Sequence, residues 1–226
     1  MANYRKCLLV TGETYHIFNR GVNRADIFGD SRDYLRAVNL AAYYRFANCP
    51  MRFSYFNNLT RDERGKIIHG LTQAGRVRVR IFAFCFMPNH FHFLVRQETD
   101  KGVSRFMSEF SNGYAKYLNT KKSRVGPLYQ GPFRSVRIEN DEQLIHVSRY
   151  IHLNPATSYL VPESGLDEYP WSSLHEYAGL QNRSDVCDTS TVMGLFSSPE
   201  QYRVFVHDQL QYARQLDKIR HLILEE

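Results

Sequence analysis

No run of about 18 apolar residues occurs in the 226 residues, so no membrane-spanning helix is expected. Cysteine is scarce: Cys7, Cys49, Cys85 and Cys187 are scattered without a Cys-x-x-Cys pair, which argues against a disulfide framework and for reduced thiols. Arg5 and Lys6 precede only Cys7-Leu8-Leu9-Val10, too short for a signal-peptide core, and a soluble cytoplasmic protein is expected. Internal repeats and low-complexity linkers are also missing. The length and the 43% hydrophobic content fit one large domain, or one domain with additions. Acidic residues are sparse through residue 139, where 23 Lys/Arg face 10 Asp/Glu, a balance of +13. Residues 140–226 reverse this with 6 against 13, or −7, leaving +6 for the chain. The basic part should attract a polyanion, most simply nucleic acid, although a merely soluble basic face is the alternative.

What is present centres on Phe86-Met87-Pro88-Asn89-His90-Phe91-His92-Phe93-Leu94-Val95. Its apolar run reads as a strand, with His90 and His92 on one face and Phe91, Phe93 and Val95 on the other. Two imidazoles so spaced can converge on one divalent metal. In Ser148-Arg149-Tyr150-Ile151-His152-Leu153-Asn154-Pro155, Tyr150 and Asn154 stand one helical turn apart on one face. Together the two stretches would make a metal-assisted nucleophile site. Taken singly, each also fits a bland role: a structural His pair, a packed Tyr, a helix stop at Asn-Pro.

Glu13 to Gly21 reads as a first strand ending in a turn, and Asp30-Ser31 caps a helix through Ala42. Phe53 to Phe56 suggests a short strand, and Thr60-x-x-Glu63 a capping box for a helix to about Leu71, ended by Gly75. Arg76, Arg78 and Arg80 alternate along one strand face, and Phe82, Phe84 and Phe86 continue that parity. Gly102 to Asn119 carries a helical apolar stripe that includes Tyr114 and Tyr117, rival nucleophiles better read as core. Lys121 to Arg134 is a basic loop with two Gly, two Pro and interspersed aromatics, suited to gripping phosphates and stacking bases. A strand from Ser135, the helix of Tyr150, a packed segment around Trp171 and an amphipathic helix from Pro199 through Ile223 follow. This order points to an α+β ferredoxin-like sandwich, an antiparallel sheet with helices on one face, plus a C-terminal helical extension.

The chain resembles the single-tyrosine transposases of the His-hydrophobic-His class, in the branch associated with repetitive extragenic palindromes. The matching residues are Tyr15 to Gly21, Met87 to Val95, Gly126 to Ser135, Arg149 to Pro155 and Tyr169 to Ser173. The resemblance implies that His90, His92 and Asn154 ligate the metal and that Tyr150 is the nucleophile. The activity it implies is cleavage and rejoining of single-stranded DNA near hairpins or palindromes, through a covalent 5′-phosphotyrosine link. It further implies a catalytic domain over residues 1–180, with an insertion near 46–75, and a packed helical tail over 181–226. Relatives include monomers and homodimers with shared sites, so a homodimer is one arrangement it implies. Where many relatives carry Gly-Thr-Leu-Trp and Gly-Arg-Tyr/Phe, this chain has Gly-Pro-Leu-Tyr and Gly-Pro-Phe-Arg.

A free phenol has a pKa of about 10, so tyrosine needs help at neutral pH. Two imidazoles with an uncharged amide oxygen suit Mg²⁺ or Mn²⁺, the latter better matched to imidazole. His146, one turn before Tyr150, is a candidate for assisting deprotonation, with a structural role as the alternative; His152 faces elsewhere. Lys121, Lys122, Arg124, Arg134 and Arg149 are candidates for phosphate contacts, with an internal salt bridge equally open for Arg149. The competing function is a non-cleaving DNA hairpin-binding module derived from such a transposase. A relaxase or replication-initiator nuclease would lack the Tyr-Ile-His-Leu-Asn-Pro segment.

Overall fold

The computed structural model describes residues 7–179 and 186–210. Four strands, β1 (Thr14–Arg20), β2 (Val79–Met87), β3 (His90–Gln97) and β4 (Arg134–Ile138), form one sheet in the order β2-β3-β1-β4. Every neighbouring pair is antiparallel. Pro88 and Asn89 turn β2 directly into β3, so Met87 pairs with His90.

On one face lie α1 (Ser31–Tyr44) and α4 (Gly102–Lys121). Their apolar stripes meet Tyr15, Ile17, Phe84, Phe86, Phe91 and Phe93 in an aromatic-rich core. Asp30 caps α1 by accepting from the amides of Arg32 and Asp33. Residues 46–75 fold as two helices at the edge of this core. These are α2 (Phe53–Asn58) and α3 (Arg61–Gln73), the latter opened by the Thr60/Glu63 capping box. The short strand expected over Phe53 to Phe56 is therefore helical. Phe53 and Phe56 fall on one side of a single turn and stack around Tyr43.

The opposite face is covered as well, by α5 (Asp141–Thr157), α6 (Leu174–Tyr177), α7 (Ser190–Met193) and α8 (Pro199–His207). The α+β sandwich thus has helices on both faces, which corrects the one-face expectation. The reason lies in β2: its run Ile81 to Met87 is apolar on both sides and needs cover on both. A bulge sets which residue goes where. Ile81 pairs with Val95 and Ala83 with Leu94, so Phe82 is the extra residue. Phe82 joins the α5 layer, while Phe84 and Phe86 turn to the α1/α4 layer, so the parity expected from the phenylalanines breaks there. Nor do three arginines share the strand. Arg76 and Arg78 precede it, and buried Arg78 pairs with Glu109 at 2.6 Å.

A buried polar network anchors α5. His152 Nδ1 lies 2.7 Å from Tyr202 Oη and its Nε2 lies 2.8 Å from Ser173 Oγ. Tyr202 donates to Ser148, and Ser173 accepts from the Phe84 amide in β2. His152 therefore ties the Tyr150 helix to the sheet and to α8. His152→Ala should cost about 2–4 kcal/mol, by leaving a cavity and taking one hydrogen bond from each of two buried hydroxyls. A urea midpoint equal to that of the unsubstituted chain would show that the network contributes nothing. The tail helix is described through His207, and its expected continuation beyond residue 210 lies outside the described residues.

Candidate active site

Strand alternation and pairing register assemble the site. Phe18 of β1 stands opposite both His92 of β3 and Arg134 of β4, and Arg20 stands opposite His90. His16, Phe18, Arg20, His90, His92 and Arg134 thus occupy one face of three adjacent strands. α5 lies across that face. Its N-cap Asn140 accepts from the Gln143 amide, and Asp141 and Glu142 favour the positive end of the helix. The helix brings the Tyr150 ring to 5.5 Å from His92 and 5.8 Å from His16, both edge-on. Tyr150 stays 43% exposed, open to a large substrate.

The three sequence-derived ligand candidates meet beneath it. The His90 and His92 rings lie 5.0 Å apart. His90 Nδ1 donates to Asn89 Oδ1 at 2.6 Å, which leaves Nε2 as its lone-pair nitrogen. Asn154 Nδ2 donates to the Tyr150 carbonyl at 2.8 Å, so its Oδ1 is what it offers to the site. His92 is 5% exposed, and its buried Nε2 has no hydrogen-bond partner. Two imidazole nitrogens and an amide oxygen, one of them orphaned, suit a small divalent ion. Among the described residues, no group of three or more His, Cys, Asp or Glu is placed to hold a metal.

The imidazoles are held neutral, the form that ligates. Burial pushes His16 down to about 4. Burial, then the Arg20 charge, pushes His90 down to about 4, with the Asn154 side chain opposing. His92 falls well below the usual histidine value through burial, with His16, His90 and Arg20 adding to the effect.

The basic loop is fastened beside this site. Asn19 Nδ2 donates to the Gly131 carbonyl, the Gln130 amide to Arg20 and the Val22 amide to Leu128. Gly21 closes the turn that follows β1: a Cβ there would collide with the Ala25 carbonyl oxygen, so only glycine fits. Of the phosphate candidates, Arg134 and Lys122 are exposed, and Arg124 donates to Asn119. Lys121 and Arg149 have internal partners, which gives each a structural place instead. Lys121 Nζ lies 2.8 Å from Asp30 and 2.6 Å from Asp33. Arg149 donates to His146 Nδ1 and the Phe205 carbonyl and stacks on the Phe205 ring, holding α8 against α5. His146 is thereby engaged with Arg149.

Asp33 is fully buried, which raises its pKa, but Lys121, the Gly29 amide and the Tyr117 hydroxyl outweigh burial and hold it below the usual 3.8. Its stabilisation is complete above pH 3.8 and is lost as the pH falls through its own lower value. Asp33→Asn should therefore destabilise the chain by about 1–3 kcal/mol at pH 7. Denaturation curves should show that gap closing only below pH 4, and a gap independent of pH would discard the ionic account.

His16, Phe18 and Arg20 were missing from the sequence-derived site. Their signal was the parity of β1, whose even positions alternate with the buried Tyr15 and Ile17.

The family model described as IS200-like transposase matches residues 38–154, over half of the chain and up to Asn154 itself. The chain belongs to the IS200-like transposase family. The family match spans β2 and β3, runs into α5 as far as Asn154, and so includes His90, His92 and Tyr150. Among solved structures, a REP-associated tyrosine transposase bound to a REP hairpin is similar. It has 19% identity, covers 88% of this chain and 96% of that one, and gives a TM-score of 0.52. At that identity the likeness speaks for the transposase fold. No curated protein matches the sequence. Among the described residues, no helix of this transposase is long and apolar enough to cross a membrane.

Proposed function

We propose that this IS200-like transposase nicks and rejoins single-stranded DNA at hairpin or palindromic sequences, through a 5′-phosphotyrosine link on Tyr150. The observation that carries the reading is the Tyr150 ring poised edge-on over His92, whose buried Nε2 lacks a partner. His90, His92 and Asn154 would hold a divalent ion, Mg²⁺ or Mn²⁺. Bound there, the ion would polarise the scissile phosphate and offset charge developing on its oxygens.

Tyr150 Oη attacks the phosphorus and loses its proton. The bond from phosphorus to the 3′ oxygen breaks, and that oxygen leaves as a 3′-hydroxyl by taking up a proton. Because one phosphodiester is exchanged for another, attack by a 3′-hydroxyl on the tyrosyl ester reverses the step without ATP. Asn154 holds the Tyr150 backbone through its amide, and α5 is fixed from below by His152. Arg20 and Arg134 place positive charge at the rim of the same face, suited to flanking phosphates. The similar solved transposase is bound to a REP hairpin, which supports a hairpin substrate and the REP-associated branch. All four proposed catalytic and ligand residues come from one chain, so the reading needs no second copy.

The test is incubation with hairpin-bearing single-stranded oligonucleotides in Mg²⁺ or Mn²⁺, resolved on denaturing gels. A protein-linked fragment and a free 3′-hydroxyl fragment are expected, both absent in EDTA. A hairpin bound tightly but left intact would reject the enzyme in favour of a binding module. Arg134→Ala should weaken hairpin affinity about 3- to 10-fold and lower the salt slope by about one. An unchanged slope would remove Arg134 from the interface.

A further inference from the structure

We propose that His16 is a positioning residue that fixes the His92 imidazole with its proton on Nδ1 and its Nε2 lone pair turned into the site. The inference rests on the reading of His92 as a metal ligand.

His16 and His92 lie on the paired strands β1 and β3, diagonal to one another in the register, since His92 stands opposite Phe18. The diagonal is bridged by a hydrogen bond: His16 Nε2 lies 2.9 Å from His92 Nδ1. The two rings lie edge to edge and nearly coplanar, with centroids 5.1 Å apart and 20° between their planes, so the contact constrains both the orientation and the proton of each ring. His16 also meets the Tyr150 ring at 75° and so touches nucleophile and ligand together.

Two neutral imidazoles that share one hydrogen bond place one proton on it, in one of two arrangements. If His16 donated, His92 would carry its proton on Nε2, a buried N–H without an acceptor. Such orphaned donors are rare, and this one would point a hydrogen where a cation should bind. If His92 donates through Nδ1, its Nε2 is a lone pair, and a divalent ion satisfies it. The second arrangement resolves the orphaned atom and the first does not. It is also the general pattern of ligating histidines, whose other nitrogen donates to a fixed acceptor that sets the tautomer. Here a second imidazole serves as that acceptor. Its position in an inner strand of the sheet, paired on both sides, keeps it still.

Long-range ¹H–¹⁵N spectra of the full chain, free of metal, report the His92 tautomer directly, and Mn²⁺ titration gives the affinity without DNA or turnover. The unsubstituted chain should show His92 protonated at Nδ1. His16→Phe keeps an aromatic ring but no acceptor, and should scramble that tautomer and weaken Mn²⁺ binding about 10- to 100-fold. His16→Gln, whose amide oxygen can accept, should recover affinity to within a few-fold. Protonation at Nε2 in the unsubstituted chain overturns the proposal even if His16→Phe does not fold. So does a His16→Phe chain with unaltered tautomer and affinity. If no form binds Mn²⁺ while His16→Phe still alters the tautomer, the positioning role stands and the ligand reading fails.

Discussion

Replacing Tyr150 with Phe is expected to abolish the covalent protein–DNA adduct and leave hairpin affinity within about twofold. The substitution deletes only Oη. The ring remains to lie edge-on against His92 and His16, and a 43% exposed position on α5 tolerates the change. Loss of a covalent nucleophile lowers turnover by about 10⁴-fold or more, whereas hairpin affinity rests on charge and stacking elsewhere. The gel assay separates the two effects in one experiment. The rival tyrosines are poorly placed to substitute. Tyr114 is fully buried and donates to the Ile27 carbonyl, and Tyr117 donates to Asp33. An adduct of equal yield in Tyr150→Phe would move the nucleophile elsewhere and dismantle the proposed chemistry.

The second large effect concerns the imidazole pair. His92→Ala removes the one proposed ligand whose Nε2 is both buried and unpartnered. If the ion stabilises the transition state by several kcal/mol, nicking should fall by about 10³-fold or more. His90→Ala should behave alike, with a smaller structural penalty, because His90 sits at the turn while His92 is enclosed between β1 and α5. Hairpin binding in EDTA should survive both substitutions. Thermal melts control for the cavity left by His92→Ala, and His92→Gln offers a less disruptive variant. Full nicking by any of these chains, or by the unsubstituted chain in EDTA, would remove the metal from the mechanism.

The phosphate candidates show where linear reading reaches its limit. Lys121 and Lys122 are neighbours in the basic loop, yet Lys121 turns inward to Asp30 and Asp33, residues about 90 positions earlier. Charge counting registers both lysines alike, and only folding shows which one is already neutralised. Arg149 is similar, since its partner Phe205 arrives from a helix beyond the apparent end of the motif region. The basic balance of residues 1–139 was therefore a sound pointer to nucleic acid and a poor guide to individual contacts.

What the sequence determined by itself is local. The alternation that puts His90 and His92 on one face, the single turn between Tyr150 and Asn154, and the caps at Asp30, Thr60 and Asn140 all follow from periods of two and 3.6 residues and from short side chains that reach nearby amides. Tertiary structure decided the rest. The bulge at Phe82 reversed a parity, the doubly apolar β2 drew α5 to the second face, and the β1–β3 register delivered His16 to His92 across 76 positions of chain. Periodicity states which way a side chain points relative to its neighbours. Which strand lies alongside, and in what register, is set by the burial of both sheet faces at once, a property of the assembled layers that no single segment carries.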